Sequence, residues 1–406
     1  MHSLYLFLTS SVLSGHRAEE LRAAAGVERS PVPAPALVRP MPPAAPHTVA
    51  ILGTGLIGAS LGLALRQRAP HLDVVGADAR ADAMDTALSR GALTRTADAA
   101  DAVAGADLVV LAAPLDALPD LLRTVAPALK AGSLVTDVGS VKGPTMRAAA
   151  DTLPESVRFI GGHPMAGAAI GGPENADALL FENAAYILTP PSGTGDLAAF
   201  APEALWLVET IGARAVVLDA DRHDAIVATV SHLPQLLAVA LVNEAAEAGP
   251  DVLGLAAGGF RDMTRIAGSD FAVWGPILDD NRDAVVTVLS RFADRIGAIR
   301  DAVATDPAAL AETFKTAAQT RAAIPASTKG FLAPLADVIV WADDRPGFLH
   351  HLTGVIAEAG LNLKDVELLR IREGEVGTFR FGFRTPAEAD RAVAALTDAG
   401  YRAQRR

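Results

Sequence analysis

"HTVAILGTGLIGASLGLALRQR", residues 47–68, decides how the rest of the chain is read. Thr48 to Leu52 is a short apolar run that fits a buried strand, glycines follow at once, and the segment after them is apolar at helical spacing. Gly53, Gly55 and Gly58 stand in G-x-G-x-x-G spacing. The first glycine of that pattern permits a tight turn, the second lets backbone approach a pyrophosphate, and the third lets helix pack close on strand. Leu56 and Ile57 open the helix, whose N-terminus offers free N–H groups to phosphates. In a chain with 35 glycines the hexamer alone carries little, so its context matters. Asp78 closes the next apolar run, "LDVVGADAR", twenty residues beyond Gly58. A carboxylate there accepts ribose hydroxyls and repels a 2′-phosphate, which favours NAD over NADP, with Arg80 as a partial counterweight.

Further apolar runs follow: "DLVVLAAP" (107–114, ending in Pro114 on the cofactor side), "SLVTDVGSVKG" (133–143), "VRFIGGHPMAG" (157–167) and "AAYILTPP" (184–191). Helical stretches separate most of them, which predicts an α/β fold: a Rossmann-like, doubly wound parallel sheet over residues 47–195. Residues 196–322 are apolar at helical spacing with few strand signals, which predicts an all-helical domain. A proline- and glycine-containing linker is expected over 323–335. Residues 336–406 have the order βαββαβ, with a hairpin turning at Glu373–Val376. Residues 1–46, rich in proline and alanine towards their end, are expected to be an extended tail without chemistry. Their opening apolar run lacks the basic start and cleavage site of a secretory signal.

Net charge is −12, so a broad nucleic-acid-binding face is not expected. The chain has no cysteine, which removes disulfides, thiolate metal sites and cysteine nucleophiles, and no metal is called for. Beyond the N-terminus no long uncharged apolar run is found, so no membrane partner is expected and a cytoplasmic location fits.

"GTGLIGASL", "TDVGSVKG", "GGHPMAG", "LFENAAYILTP", "VSHLPQLLA" and "GGFRDMTRIAGSD" occur in the order found in prephenate dehydrogenases, the family this sequence resembles. The resemblance implies NAD-dependent oxidative decarboxylation of prephenate to 4-hydroxyphenylpyruvate, in tyrosine biosynthesis. It implies that His163 accepts a hydrogen bond from the ring hydroxyl, a task suited to a neutral imidazole. On residue chemistry alone, a hydrogen-bonded histidine of a glycine loop is the more ordinary reading of His163. Ser140 is implied to orient His163 or to meet the same hydroxyl. Arg265 is implied to grip a substrate carboxylate, the alternative being a surface ion pair with Asp262. His232 and Trp274 match pocket positions, although His232 also suits a packed helix. Lys142 stays outside the core set, as a ligand contact or a solvated side chain. Where relatives carry polar residues after "HPMAG", this chain has Ala168, Ala169, Ile170 and Gly171, which bears on prephenate against its amino analogue arogenate.

The closing segment resembles the ACT module of Bacillus-type members. That likeness implies an amino-acid effector, tyrosine being the economical choice, near Gly347 and Asn362, with Asp343, Asp344 and Arg345 offering charge. A module that only assists dimerisation is the alternative. A homodimer is expected. The competing functions are an arogenate or cyclohexadienyl dehydrogenase, the use of 4-amino-4-deoxyprephenate, and a catalytically silent sensor of nucleotide and amino acid.

Overall fold

The computed structural model describes residues 45–167, 170–323, 335–342, 346–370 and 377–405. All but the last two residues of the expected N-terminal tail, Ala168 and Ala169, nearly all of the linker, Asp343 to Arg345 and the turn at Glu373–Val376 lie outside the described residues.

Eight strands form the first sheet: β1 (Thr48–Leu52), β2 (Asp73–Ala77), β3 (Arg95–Thr96), β4 (Leu108–Leu111), β5 (Leu134–Asp137), β6 (Arg158–Pro164), β7 (Ala185–Thr189) and β8 (Arg214–Val217). Their spatial order is β3-β2-β1-β4-β5-β6-β7-β8. The strand order reverses beside β1, and that switch point is where open α/β sheets bind ligands. β4 and β5 are buried along their whole length, as expected of parallel strands covered on both faces.

Two sequence expectations need correcting here. The sheet is not wholly parallel: β6 and β7 run antiparallel, with His163 opposite Ile187, and β8 runs parallel to β7. Among the described residues of 165–184, which join β6 to β7, there is a short 3-10 turn and no crossover helix, so β7 returns against its neighbour. The α/β unit also continues past residue 195. The helix Pro202–Thr210 buries Ala204, Leu205, Leu207 and Val208 in the same core as β1 and β4, and β8 then completes the sheet edge.

The following region is helical: Ala220–Val227, a π-helical turn Ala228–His232, Leu233–Glu247, Phe271–Asp280 and Arg282–Thr305 are its main elements. Its own core is small, built on Ala228, Leu233, Val285 and Val288. Leu255, Phe271 and Phe314 stay exposed at 84%, 74% and 73%, a pattern that marks an interaction surface rather than a finished domain. Contrary to the sequence expectation, the continuous run Ala220–Glu247 is by length and composition apolar enough to cross a membrane. It also buries His223, His232 and Gln235, polar side chains that bind it to the protein.

The last unit has the expected βαββαβ order: β9 (Ala336–Ala342), the helix Phe348–Glu358, β10 (Asp365–Arg370), β11 (Gly377–Phe383), the helix Pro386–Asp398 and β12 (Ala403–Arg405). The antiparallel sheet β10-β11-β9-β12 packs Val338, Val340, Phe381 and Phe383 against Leu352, Ile356 and Leu396 of the helices. Thr385 and Glu388 form a reciprocal capping box that starts the second helix.

Candidate active site

A single cleft of about 1060 Å³ runs from the glycine turn after β1 to the end of β6. At one end it is lined by Gly53, Gly55, Leu56, Ile57, Asp78, Arg80 and Pro114, and at the other by Ser140, His163 and Pro164.

The glycines fit a dinucleotide by three different physical arguments. Gly53 has φ +101°, and a Cβ there would lie 2.4 Å from the Ala112 carbonyl oxygen. A Cβ at Gly58 would lie 1.9 Å from the Gly53 oxygen, so helix and strand can approach only through glycine. A Cβ at Gly55 would meet no protein atom within 4 Å; it would project into open space at the helix N-terminus. That helix, Leu56–Arg68, has no side-chain cap and no acid in its first turn, so its N–H groups and positive dipole end are available to a pyrophosphate. Asp78 accepts hydrogen bonds from the Thr54 N–H (2.6 Å), the Arg80 N–H (2.9 Å) and the Thr54 hydroxyl (3.2 Å). These bonds fix its orientation and leave acceptor capacity for a ribose hydroxyl.

His163 does not sit in a loose glycine loop. It is the penultimate residue of β6, held by the ladder to β7. Its Nδ1 lies 2.8 Å from Nε2 of His223, and Nδ1 of His223 lies 2.7 Å from a carboxylate oxygen of Asp224. Asp224 also accepts the backbone N–H groups of Lys142 and Gly143, both at 2.8 Å. No hydrogen bond joins Ser140 to His163 among the described residues; Ser140 lines the cleft beside it. Burial pushes the His163 pKa well below the ordinary imidazole value, with the Lys142 ammonium, His223 and His232 acting in the same direction. For Asp224, burial works upward, but the bonds from His223 and from two backbone N–H groups hold its carboxyl below the usual value.

Lys142 is fully buried, not solvated. Its ammonium pairs with Asp137 and donates to the Gly162 carbonyl at 2.7 Å, next to His163. Burial lowers its pKa, and the Asp137 carboxylate opposes that shift.

His232 is buried too, with its ring edge-on to Trp274 at 5.8 Å between centroids. Burial brings its pKa down to about 4, against the raising effect of Asp224. The Asn281 side-chain amide donates to the Asp224 carbonyl at 2.8 Å and lies 3.3 Å from Nδ1 of His232, tying the two histidines together. An ideal helix turns ~100° per residue, so residues nine apart face opposite ways. The π-helical turn Ala228–His232 slows that rotation and lets His223 and His232 serve one site.

Of the expected residues, Ser140 and His163 line the cleft, whereas His232 and Trp274 pack on each other outside its lining, His232 being joined to the Asp224 backbone through Asn281. Arg265 is exposed on a 3-10 turn and does not line the cleft. The following helix, Phe271–Asp280, supplies Ala272, Val273, Pro276 and Ile277 to the cleft wall. Next to Ala168 and Ala169 in sequence, Ile170 is 67% exposed and Gly171 lines the cleft. His223 and Lys142 were missing from the expected set. The signal available for His223 was its adjacency to Asp224 at a helix start, which periodicity alone does not single out. Gly347 (φ +77°) caps the first helix of the terminal unit, and Asn362 is exposed just before β10.

A dinucleotide cleft that ends on a half-buried imidazole with a depressed pKa fits an NAD-dependent oxidoreductase. Comparison with known proteins narrows the class. Residues 61–217 match the family model "Prephenate dehydrogenase, nucleotide-binding domain", residues 219–316 "Prephenate dehydrogenase, dimerization domain", and residues 336–395 "ACT domain". Prephenate dehydrogenase of Bacillus subtilis is 33% identical over 351 residues, covering 85% of this chain and 94% of that protein. The Lactococcus lactis prephenate dehydrogenase is 32% identical over 85% of this chain and 96% of its own length. Among solved structures, prephenate dehydrogenase from A. aeolicus in complex with hydroxyphenyl propionate and NAD+ superposes with a TM-score of 0.63 at 27% identity. That match covers 68% of this chain and 97% of the other. The chain belongs to the prephenate dehydrogenase family.

Proposed function

We propose that this chain oxidatively decarboxylates prephenate to 4-hydroxyphenylpyruvate, with His163 as the hydrogen-bond acceptor for the ring hydroxyl. The observation that carries this reading is one cleft joining the glycine turn to His163. When bound, NAD supplies the hydride acceptor. As hydride leaves the hydroxyl-bearing carbon, the electron pair of the ring–carboxylate bond moves into the ring, carbon dioxide departs and the ring becomes aromatic. Positive charge builds at the hydroxyl-bearing carbon on the way. The hydroxyl relieves it by strengthening its hydrogen bond to a neutral imidazole, and no net proton is released. Burial keeps His163 neutral. Ser140 meets the same hydroxyl from its place on the cleft wall. His232 and Trp274 are assigned to the substrate end, and Arg265, exposed outside the cleft lining on the segment before the cleft-lining helix, is assigned to a substrate carboxylate.

The apolar Ile170 and the adjacent Gly171 offer little to an ammonium group, so the keto acid is preferred over arogenate. The matched dimerization domain, with its exposed Leu255 and Phe271, supports a homodimer. The ACT match supports an amino-acid effector, tyrosine, bound near Gly347 and Asn362. A biosynthetic enzyme of this kind works in the cytoplasm.

The test is a reduced-nicotinamide absorbance assay with NAD or NADP against prephenate or arogenate. Turnover of prephenate with NAD is expected; equal efficiency on arogenate would defeat the preference, and no turnover on either would defeat the function. His163→Asn is expected to cut kcat by ~100-fold or more while leaving NAD affinity intact.

A further inference from the structure

We propose that His223, held by Asp224, is a positioning residue that sets the tautomer of His163. This inference rests on the acceptor role just given to His163 and adds the group that makes it an acceptor.

Asp224 can only accept. Its carboxylate already receives the backbone N–H groups of Lys142 and Gly143, and it is ionised. The nitrogen of His223 that faces it at 2.7 Å therefore carries the proton. Neutral His223 then has a bare Nε2, aimed at Nδ1 of His163 from 2.8 Å. To complete that bond His163 must hold its proton on Nδ1. Its Nε2 is left as a lone pair on the side of the ring that remains for the cleft. A donor at that position would oppose the substrate hydroxyl; a lone pair accepts it. Carboxylate, first ring and second ring thus pass one instruction along a line.

The surroundings favour the neutral form of His163. Lys142, paired with Asp137, lies under the strand that carries His163. His232 approaches from the same helical run as His223, and Asn281 fastens the Asp224 backbone. His223 is fully buried, so water does not take the place of its acceptor nitrogen.

The experiment has a spectroscopic arm and a kinetic arm. In the full-length enzyme with NAD, selective histidine 15N NMR is expected to show His163 protonated on Nδ1 and bare on Nε2. The opposite tautomer overturns the proposal. His223→Leu removes the acceptor and is expected to lower kcat ~100-fold, with KM and NAD affinity within about twofold. His223→Gln keeps a carbonyl oxygen within reach of Nδ1–H and is expected to stay within ~10-fold of the unmodified enzyme. Full kcat in the leucine variant overturns the proposal, as does a glutamine variant as slow as the leucine one. Should the leucine variant fail to bind NAD, the glutamine variant and the tautomer decide. His163→Asn separates the two readings: full activity there removes the acceptor role itself, whereas a dead His163→Asn beside fully active His223 variants removes only the relay.

Discussion

Lys142 and Asp137 form an ion pair with no solvent exposure on either side chain, and the same ammonium holds the carbonyl of Gly162, the residue before His163. Asp137 in turn accepts the N–H of Gly162 at 3.0 Å and of Gly139 at 2.8 Å. A buried charge network therefore clamps the backbone on which the proposed acceptor sits, and it joins the loop bearing Ser140 to the strand bearing His163.

Lys142→Met strands the Asp137 charge in an apolar setting. Removing one partner of a buried pair costs about 3–5 kcal/mol. The α/β unit is expected to melt on the order of 10 °C lower, measured by calorimetry with the terminal unit's transition as internal reference. An unchanged melting point would show that the pair contributes little.

Gly58→Ala and Gly55→Ala are expected to fail differently. At Gly58 the new methyl meets the Gly53 oxygen at 1.9 Å, so the turn must open and stability falls with NAD affinity. At Gly55 the methyl meets no protein atom within 4 Å, so melting is expected to hold while NAD affinity drops ~10-fold or more through crowding of the pyrophosphate. Thermal melts with and without NAD, together with NAD titrations, separate the two cases.

Acid should cost activity late and stability early. In the proposed role the neutral form of His163 is the working form, and its folded pKa lies well below 6.5. The acid limb of kcat/KM is expected below the usual imidazole range, and a midpoint at 6.5 or higher would contradict this. For stability, His232 falls from 6.5 to about 4 on folding. The unfolded chain thus takes up the proton first. The stability contribution is complete above pH ~6.5 and is lost as pH falls towards 4, by up to ~3 kcal/mol. Melting curves across that window check the sign.

Tyrosine is expected to inhibit prephenate oxidation through the terminal unit. Asn362→Ala should raise the half-inhibiting tyrosine concentration ~10-fold, the worth of one lost hydrogen bond at the upper end of its range, without changing the uninhibited kcat. Identical inhibition curves would remove Asn362 from the effector site.

The glycine turn, the strands flanking it and Asp78 were legible because their signals are local: an apolar run, fixed glycine spacing, an acid at the next strand end. The reversal of β7 was not, because a strand's direction depends on what its connection packs against, and apolar periodicity is the same in either sense. The helix Pro202–Thr210 was placed with the later helices for the same reason; its pattern marks an apolar face, not the core that face joins. His223 lies sixty residues from His163, and Lys142 looks like any loop lysine until burial and Asp137 are seen. Pairings of this kind become visible only once the chain has folded.

The widened turn Ala228–His232 also limits how this protein can change length. Dropping a single residue there would let the rod resume regular winding and swing everything downstream by roughly a quarter revolution. His223 and the cleft wall before it would stay put, while the exposed Leu255 and Phe271 of the matched dimerization domain would point elsewhere. The histidine pair at the cleft and the exposed apolar face beyond it are thus geared to each other through one irregular loop of helix, and an insertion or deletion tolerated by one would derail the other.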